Sequence, residues 1–159
     1  MKTLTLILAT ALTAFTTAWG SDNPKAVTAD GDCCGGAACS ALISSYEKVA
    51  AALAADNLKD AQTAAVDLGC WAKCEGHADL RTQIELLSKA GSLADARQLF
   101  KGISAATIPL AEKAGAHYVM TCPMAGADWI QTTPTVANPY YGSQMLHCGS
   151  IKKTVKTDS

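Results

Sequence analysis

Sulfur and imidazole carry the reactive chemistry of this 159-residue chain. The densest group lies near the C-terminus. It comprises Cys122-Pro123-Met124, then Trp129, then Met145, His147 and Cys148. Thiolate and thioether are soft donors, and soft donors favour copper(I). Pro123 restricts the backbone between Cys122 and Met124. Met145 and Cys148 stand three apart, so one helical turn there would point both side chains the same way. Two such pairs brought together offer four sulfur ligands, with His147 as an alternative nitrogen donor. The same residues fit a plainer arrangement. A Cys122–Cys148 disulfide would close a loop and stabilise the fold by about 3 kcal/mol. Met124 and Met145 would then be flexible core fillers, and Trp129 a core residue rather than a cation–π cover for a metal.

Cys70, Cys74 and His77 form a second constellation, spaced four and three apart. They share one face, turned away from the apolar stripe, provided the helix survives Gly76. Thiols four apart on a helix project in parallel and do not readily bridge each other. Two thiols and an imidazole suit a metal, and the same thiols could meet Cys33, Cys34 and Cys39 as ligands or disulfide partners. Zinc competes here, because structural zinc takes Cys and His donors at this kind of spacing. Thioether is a poor zinc ligand, so copper(I) or silver(I) is favoured at the C-terminal site. No Cys-x-x-Cys, Gly-x-Ser-x-Gly or His-Glu-x-x-His motif occurs. His77, His117 and His147 are scattered, and the expectation is a binding protein, not an enzyme.

The elements that position these residues begin after an export signal. Lys2 precedes an apolar run from Leu4 to Phe15, and Ala18-Trp19-Gly20 offers a signal-peptidase site. The run is short for a membrane span, which needs roughly 20 residues. The expectation is a signal peptide over 1–20, a periplasmic or secreted mature chain, and no membrane association after cleavage. All seven cysteines fall after residue 20. An oxidising compartment pairs thiols, yet seven is odd, so one thiol at least stays outside any intramolecular disulfide. The chain has 13 basic and 14 acidic residues, without the basic face of a nucleic-acid partner.

Residues 21–40, with Pro24, Gly31, Gly35 and Gly36, read as a flexible cysteine-rich leader. Leu42, Tyr46, Val49 and Leu53 then recur at spacings of four, three and four, the face of a helix. A second helix runs from about Leu58 to Glu75 on Leu58, Ala61, Ala65, Leu68 and Ala72. A third spans about Ala78 to Lys89 on Leu80, Ile84 and Leu87, and Gly91 ends it. Ser92 and Asp95 resemble a capping box for a fourth, with Leu93, Ala96, Phe100, Ile103, Thr107 and Leu110 on one face and a kink at Pro109. Short connections between amphipathic helices predict an all-α fold, an antiparallel four-helix bundle. His117 to Gly149 holds three prolines and three glycines and reads as an irregular segment, with at most one short strand, wrapped on the bundle. A helical metal-binding domain over 41–153 and a tail over 154–159 complete the organisation.

The motif Cys122-Pro123-Met124-Ala125, Trp129, Asn138-Pro139-Tyr140-Tyr141-Gly142, Met145 and Cys148-Gly149 resembles a known family. It is a domain of unknown function that occurs in periplasmic proteins and is appended to, or encoded near, heavy-metal efflux adaptors of the copper/silver type. Arg97, Phe100 and Ser104 also sit where the helical half of that family has Arg, Phe and Ser. The resemblance covers roughly residues 40–153. It implies copper or silver handling with Cys122, Met124, Met145 and Cys148 as ligands, and a heavy-metal efflux component as a separate partner. It implies nothing for Cys70, Cys74, His77 or the leader cysteines.

Overall fold

Apolar stripes and polar caps set the helical half. In the computed structural model, residues 42–112 and 114–156 are described. The expected signal peptide and leader, with Cys33, Cys34 and Cys39, lie outside the described residues. Helix α1 spans Leu42–Ala54. Its 4-3-4 stripe of Leu42, Tyr46, Val49 and Leu53 is buried. The helix ends where Asp56 turns to φ +57° and the Asn57 N–H reaches back to Ala52 O at 2.9 Å. Asp tolerates this left-handed conformation better than most residues. Asn57 then caps α2, Leu58–Cys74, accepting from the Asp60 N–H. Helix α3 spans Ala78–Leu87 and buries Leu80, Ile84 and Leu87. Ser92 caps α4, Leu93–Ala111, by accepting from the Asp95 N–H at 3.1 Å. This last helix runs on through Pro109. Each helix packs on the next, and α1 also meets α4. No helix of the described residues is long and apolar enough to cross a membrane.

The expected all-α class is overturned by the segment after α4. It forms a three-stranded antiparallel sheet in the order β2-β1-β3, from β1 (His117–Cys122), β2 (Ala127–Gln131) and β3 (Ser150–Val155). Pro123 to Gly126 make the β1–β2 turn, closed by the Gly126 N–H on Pro123 O at 3.1 Å. Of the prolines and glycines from His117 to Gly149, Pro123 and Gly126 punctuate that hairpin, and the others fall in the connection from β2 to β3. The register of β1 against β3 also shifts between Val119 and Met120, and both residues are buried. A bulge of this kind breaks the alternation by which a strand is recognised. The sheet lies on the helical layer, with β2 against α4 and α1. Trp129 and Ile130 are fully buried there. Tyr46 spans the two layers: its hydroxyl pairs with Ser104 Oγ at 2.6 Å and accepts from the Ile130 N–H at 3.4 Å.

Candidate functional site

The β1–β3 ladder builds the cysteine pair. Thr121 pairs with Ser150, so the chain leads back from Ser150 through Gly149 to Cys148 alongside Cys122. Gly149 has φ +145°, and a Cβ there would stand 2.7 Å from Thr121 O and 2.8 Å from the Trp129 ring. Only glycine permits this approach. The result is a Cys122 Sγ–Cys148 Sγ distance of 3.4 Å. A disulfide needs about 2.0 Å. Two thiolates on one tetrahedral ion, at metal–sulfur distances of about 2.3 Å, stand about 3.8 Å apart. The observed spacing lies between the two, nearer the chelate.

Cys122 is 0% exposed. Burial pushes its thiol up, but hydrogen bonds from the Ala125 N–H at 3.4 Å, the Cys148 thiol, the Asn138 side chain and the Met124 N–H together outweigh it, and its pKa lies below the ordinary value. Cys148 moves the other way: its hydrogen bond to Cys122, then burial, then the charge on Cys122 hold its proton on. The pair therefore ionises at Cys122 first and retains the shared proton on Cys148. Backbone N–H groups converging after a turn form a small anion-binding nest, here aimed at sulfur.

Asn138 holds the Cys148 side in place. It is 0% exposed. Its Nδ2 donates to Cys148 O at 2.6 Å, its Oδ1 accepts from the Tyr140 N–H at 2.8 Å, and its own N–H donates to Leu146 O at 2.7 Å. Tyr140 packs edge-on against Trp129 at 5.8 Å and tilts over Phe100 at 6.0 Å. Trp129 donates through Nε1 to Gln131 Oε1 at 2.7 Å, so it is a core tryptophan. The following turn is clamped to the helices. Arg97 donates to Leu53 O at 2.9 Å and Pro139 O at 3.1 Å, and it pairs with Asp56. Asp56 in turn accepts from the Ser143 N–H at 3.0 Å. Gly142 sits against this clamp at φ +57°, where a Cβ would fall 2.0 Å from Asp56 Oδ1.

The other expected ligands are placed differently. Met124, at the tip of the β1–β2 turn, is 67% exposed. Met145 follows a short 3-10 turn, Gly142–Gln144, and its carbonyl accepts from the Cys148 N–H at 3.0 Å. The two are thus linked by a turn, where a helical turn was expected. His147 is exposed and its Nδ1 lies 2.9 Å from Val136 O. Cys70 and Cys74 are half-buried on α2. The helix stops at Cys74, Gly76 takes φ +74°, and His77 becomes the residue before α3, stacked on Trp71 at 5.4 Å. The condition for a shared Cys70–Cys74–His77 face is not met. Among the described residues, no three His, Cys, Asp or Glu side chains gather in a metal-binding group. An open cleft of about 530 Å³ lies beside Cys122, lined also by Lys101, Thr121, Asp128 and Lys152.

Sequence reasoning did not single out Asn138, Asp56 or the Ala125 N–H for the site. An Asn next to proline, whose Oδ1 can accept from the N–H two residues on, is an Asx-turn signal, so Asn138 was within reach. Asp56 and Ala125 act only through the tertiary fold. No family model, curated protein or solved structure matches this chain.

Proposed function

We propose that this chain binds a soft metal ion, copper(I) before silver(I), through Cys122 and Cys148, and sequesters it or hands it on in an exported compartment. The observation that supports this reading most is the 3.4 Å approach of the two sulfurs, one of them predisposed to ionise. Opening by about 0.4 Å gives a dithiolate chelate. Copper(I) is satisfied by few, soft donors. Met124, two residues beyond Cys122, is exposed and leaves its thioether open to a bound ion as a further donor, and Met145 is one turn from Cys148. Structural zinc asks for four Cys or His donors, and no such set gathers among the described residues. The resemblance of the C-terminal motif to a domain linked with copper/silver efflux adaptors points the same way, and makes a heavy-metal efflux component the natural recipient.

The rival is a disulfide-stapled interaction module with no metal role, which draws on the same closeness of the sulfurs. Copper(I) titration into fully reduced protein, against a competing chelator, separates them. The paired variant Cys122→Ser with Cys148→Ser should lose one tightly bound equivalent relative to the unaltered chain. Binding no tighter than millimolar, or the same stoichiometry in the variant, defeats the proposal.

A further inference from the structure

We infer that Cys122 and Cys148 are also a reversible dithiol–disulfide couple that exchanges with small external thiols, with Cys148 as the sulfur attacked and Cys122 as the sulfur that leaves. The sulfurs need close only about 1.4 Å from their present separation to bond. Their accessibilities differ. Cys122 is fixed at the end of the central strand and is 0% exposed, whereas Cys148 is half-buried in the turn before β3. An incoming thiolate reaches Cys148.

The leaving side is prepared as well. When the bond breaks at Cys122, negative charge appears where the Ala125 N–H and the cysteine turn already converge. A stabilised thiolate leaves faster. The opposite assignment needs attack on a sulfur shut away from solvent, and it places the leaving charge on Cys148 instead of at the Ala125 N–H.

The exchange balances as follows. A small thiolate attacks Cys148 Sγ, forming a mixed disulfide while the Sγ–Sγ bond breaks and Cys122 keeps the electron pair. A second small thiolate attacks the small-molecule sulfur of that mixed disulfide. A symmetrical small disulfide forms, and Cys148 leaves as thiolate and takes a proton from water. Two external thiols are oxidised and the protein disulfide is reduced to the dithiol. Run backwards, the small disulfide oxidises the pair. A disulfide and a metal chelate use the same two sulfurs, so exchange gates metal loading. That consequence rests on the metal reading, while the exchange itself does not.

The test equilibrates the full chain in buffers of graded oxidised-to-reduced glutathione ratio, quenches with acid, alkylates free thiols and maps peptides by mass spectrometry. The expected result is a Cys122–Cys148 cross-link that forms and disappears reversibly. During reduction, the glutathione adduct should stand on Cys148 at least tenfold over Cys122. No cross-link at any ratio, or the adduct on Cys122, overturns the inference. The Cys122→Ser variant, checked for folding by circular dichroism, should accumulate the Cys148 adduct, because the internal thiol that resolves it is gone. Its failure to do so counts against the assignment, and the unaltered chain decides the matter if the variant does not fold. A separate arm loads reduced protein with copper(I) and then adds oxidised glutathione. Exchange without copper(I) binding at the pair defeats the metal reading and leaves the couple standing. Copper(I) binding without any cross-link does the reverse.

Discussion

Asn138→Ala removes the side chain that ties the Cys148 turn to the Tyr140 backbone. The side chain is fully buried and makes two short bonds, to Cys148 O and from the Tyr140 N–H. Leaving a buried polar group unpaired costs about 1–3 kcal/mol. Tyr140 is 6% exposed, so its stranded N–H falls near the middle of that range, about 2 kcal/mol. Cys148 is half-buried, and water relieves part of its carbonyl's loss, which leaves about 1 kcal/mol. The expected destabilisation is about 3 kcal/mol in all. It is read from urea unfolding under reductant as a lower midpoint at unchanged slope. A second readout separates the site from the fold. Asn138 is one of the groups that lower the Cys122 pKa, so the Cys122 titration should rise. The thiolate absorbance across pH, as a difference against Cys122→Ser, reports it. Asn138→Asp sharpens the case: the carboxylate still accepts from Tyr140 but no longer donates, and its charge opposes a neighbouring thiolate. Its Cys122 should titrate higher than in Asn138→Ala. A loss below about 1 kcal/mol, or a Cys122 titration unchanged in both variants, refutes the reasoning.

Two further predictions concern the clamp on the helices. Gly142→Ala puts a Cβ where Asp56 Oδ1 and Arg97 Nη2 already stand and adds about 1–2 kcal/mol for a left-handed alanine; the expected loss is about 2–4 kcal/mol in thermal unfolding, and an unchanged midpoint removes the clamp from the account. The Ser143 side chain and the Arg97 guanidinium, with the Ser143 N–H, hold the Asp56 carboxyl at about 2. That is below its unfolded value of about 3.9, so its stabilisation is complete above about pH 4 and fades as the pH falls towards 2; Asp56→Asn should flatten this window in acid unfolding, and a slope identical to that of the unaltered chain would contradict it.

The helices were legible because their cores are written as stripes. Leu42, Tyr46, Val49 and Leu53 sit at helical spacing and all are buried, and Ser92 and Asp95 cap as their types suggest. The sheet was not. The shift between Val119 and Met120 sends two neighbours inward, β2 is five residues long, and β3 is almost wholly exposed. Its Lys152 and Lys153 are tied only by ion pairs from distant parts of the chain, to Asp128 and Glu112 at 2.6 Å. At the site, residue type suggested the closeness of Cys122 and Cys148, because thiols in an oxidising compartment tend to pair and soft donors can chelate. The hierarchy between them was not, because it comes from turn N–H groups and unequal burial. Cys70, Cys74 and His77 do not share one helix face, because the spacing argument presumes one helix and α2 stops at Cys74, with Gly76 at φ +74°.

On the proposed function, the length of the C-terminal motif follows from what the two sulfurs would require. A pair that serves a chelate near 3.8 Å and a disulfide near 2.0 Å needs one sulfur fixed and the other able to move by an ångström or two. The central strand fixes Cys122. Cys148 sits on a turn, and a turn left to itself would wander far more than that. Most of the motif limits this freedom: Asn138 ties the Cys148 carbonyl, Gly149 lets the chain press on Thr121 and Trp129, and Arg97 and Asp56 anchor the 138–143 backbone to the ends of α1 and α4. None of these side chains is among the proposed ligands. If the pair works as proposed, the helical half is the platform that holds the Cys148 thiol in place, and substitutions along the clamp should weaken metal affinity and shift the thiol exchange together, although they lie outside the sulfur pair.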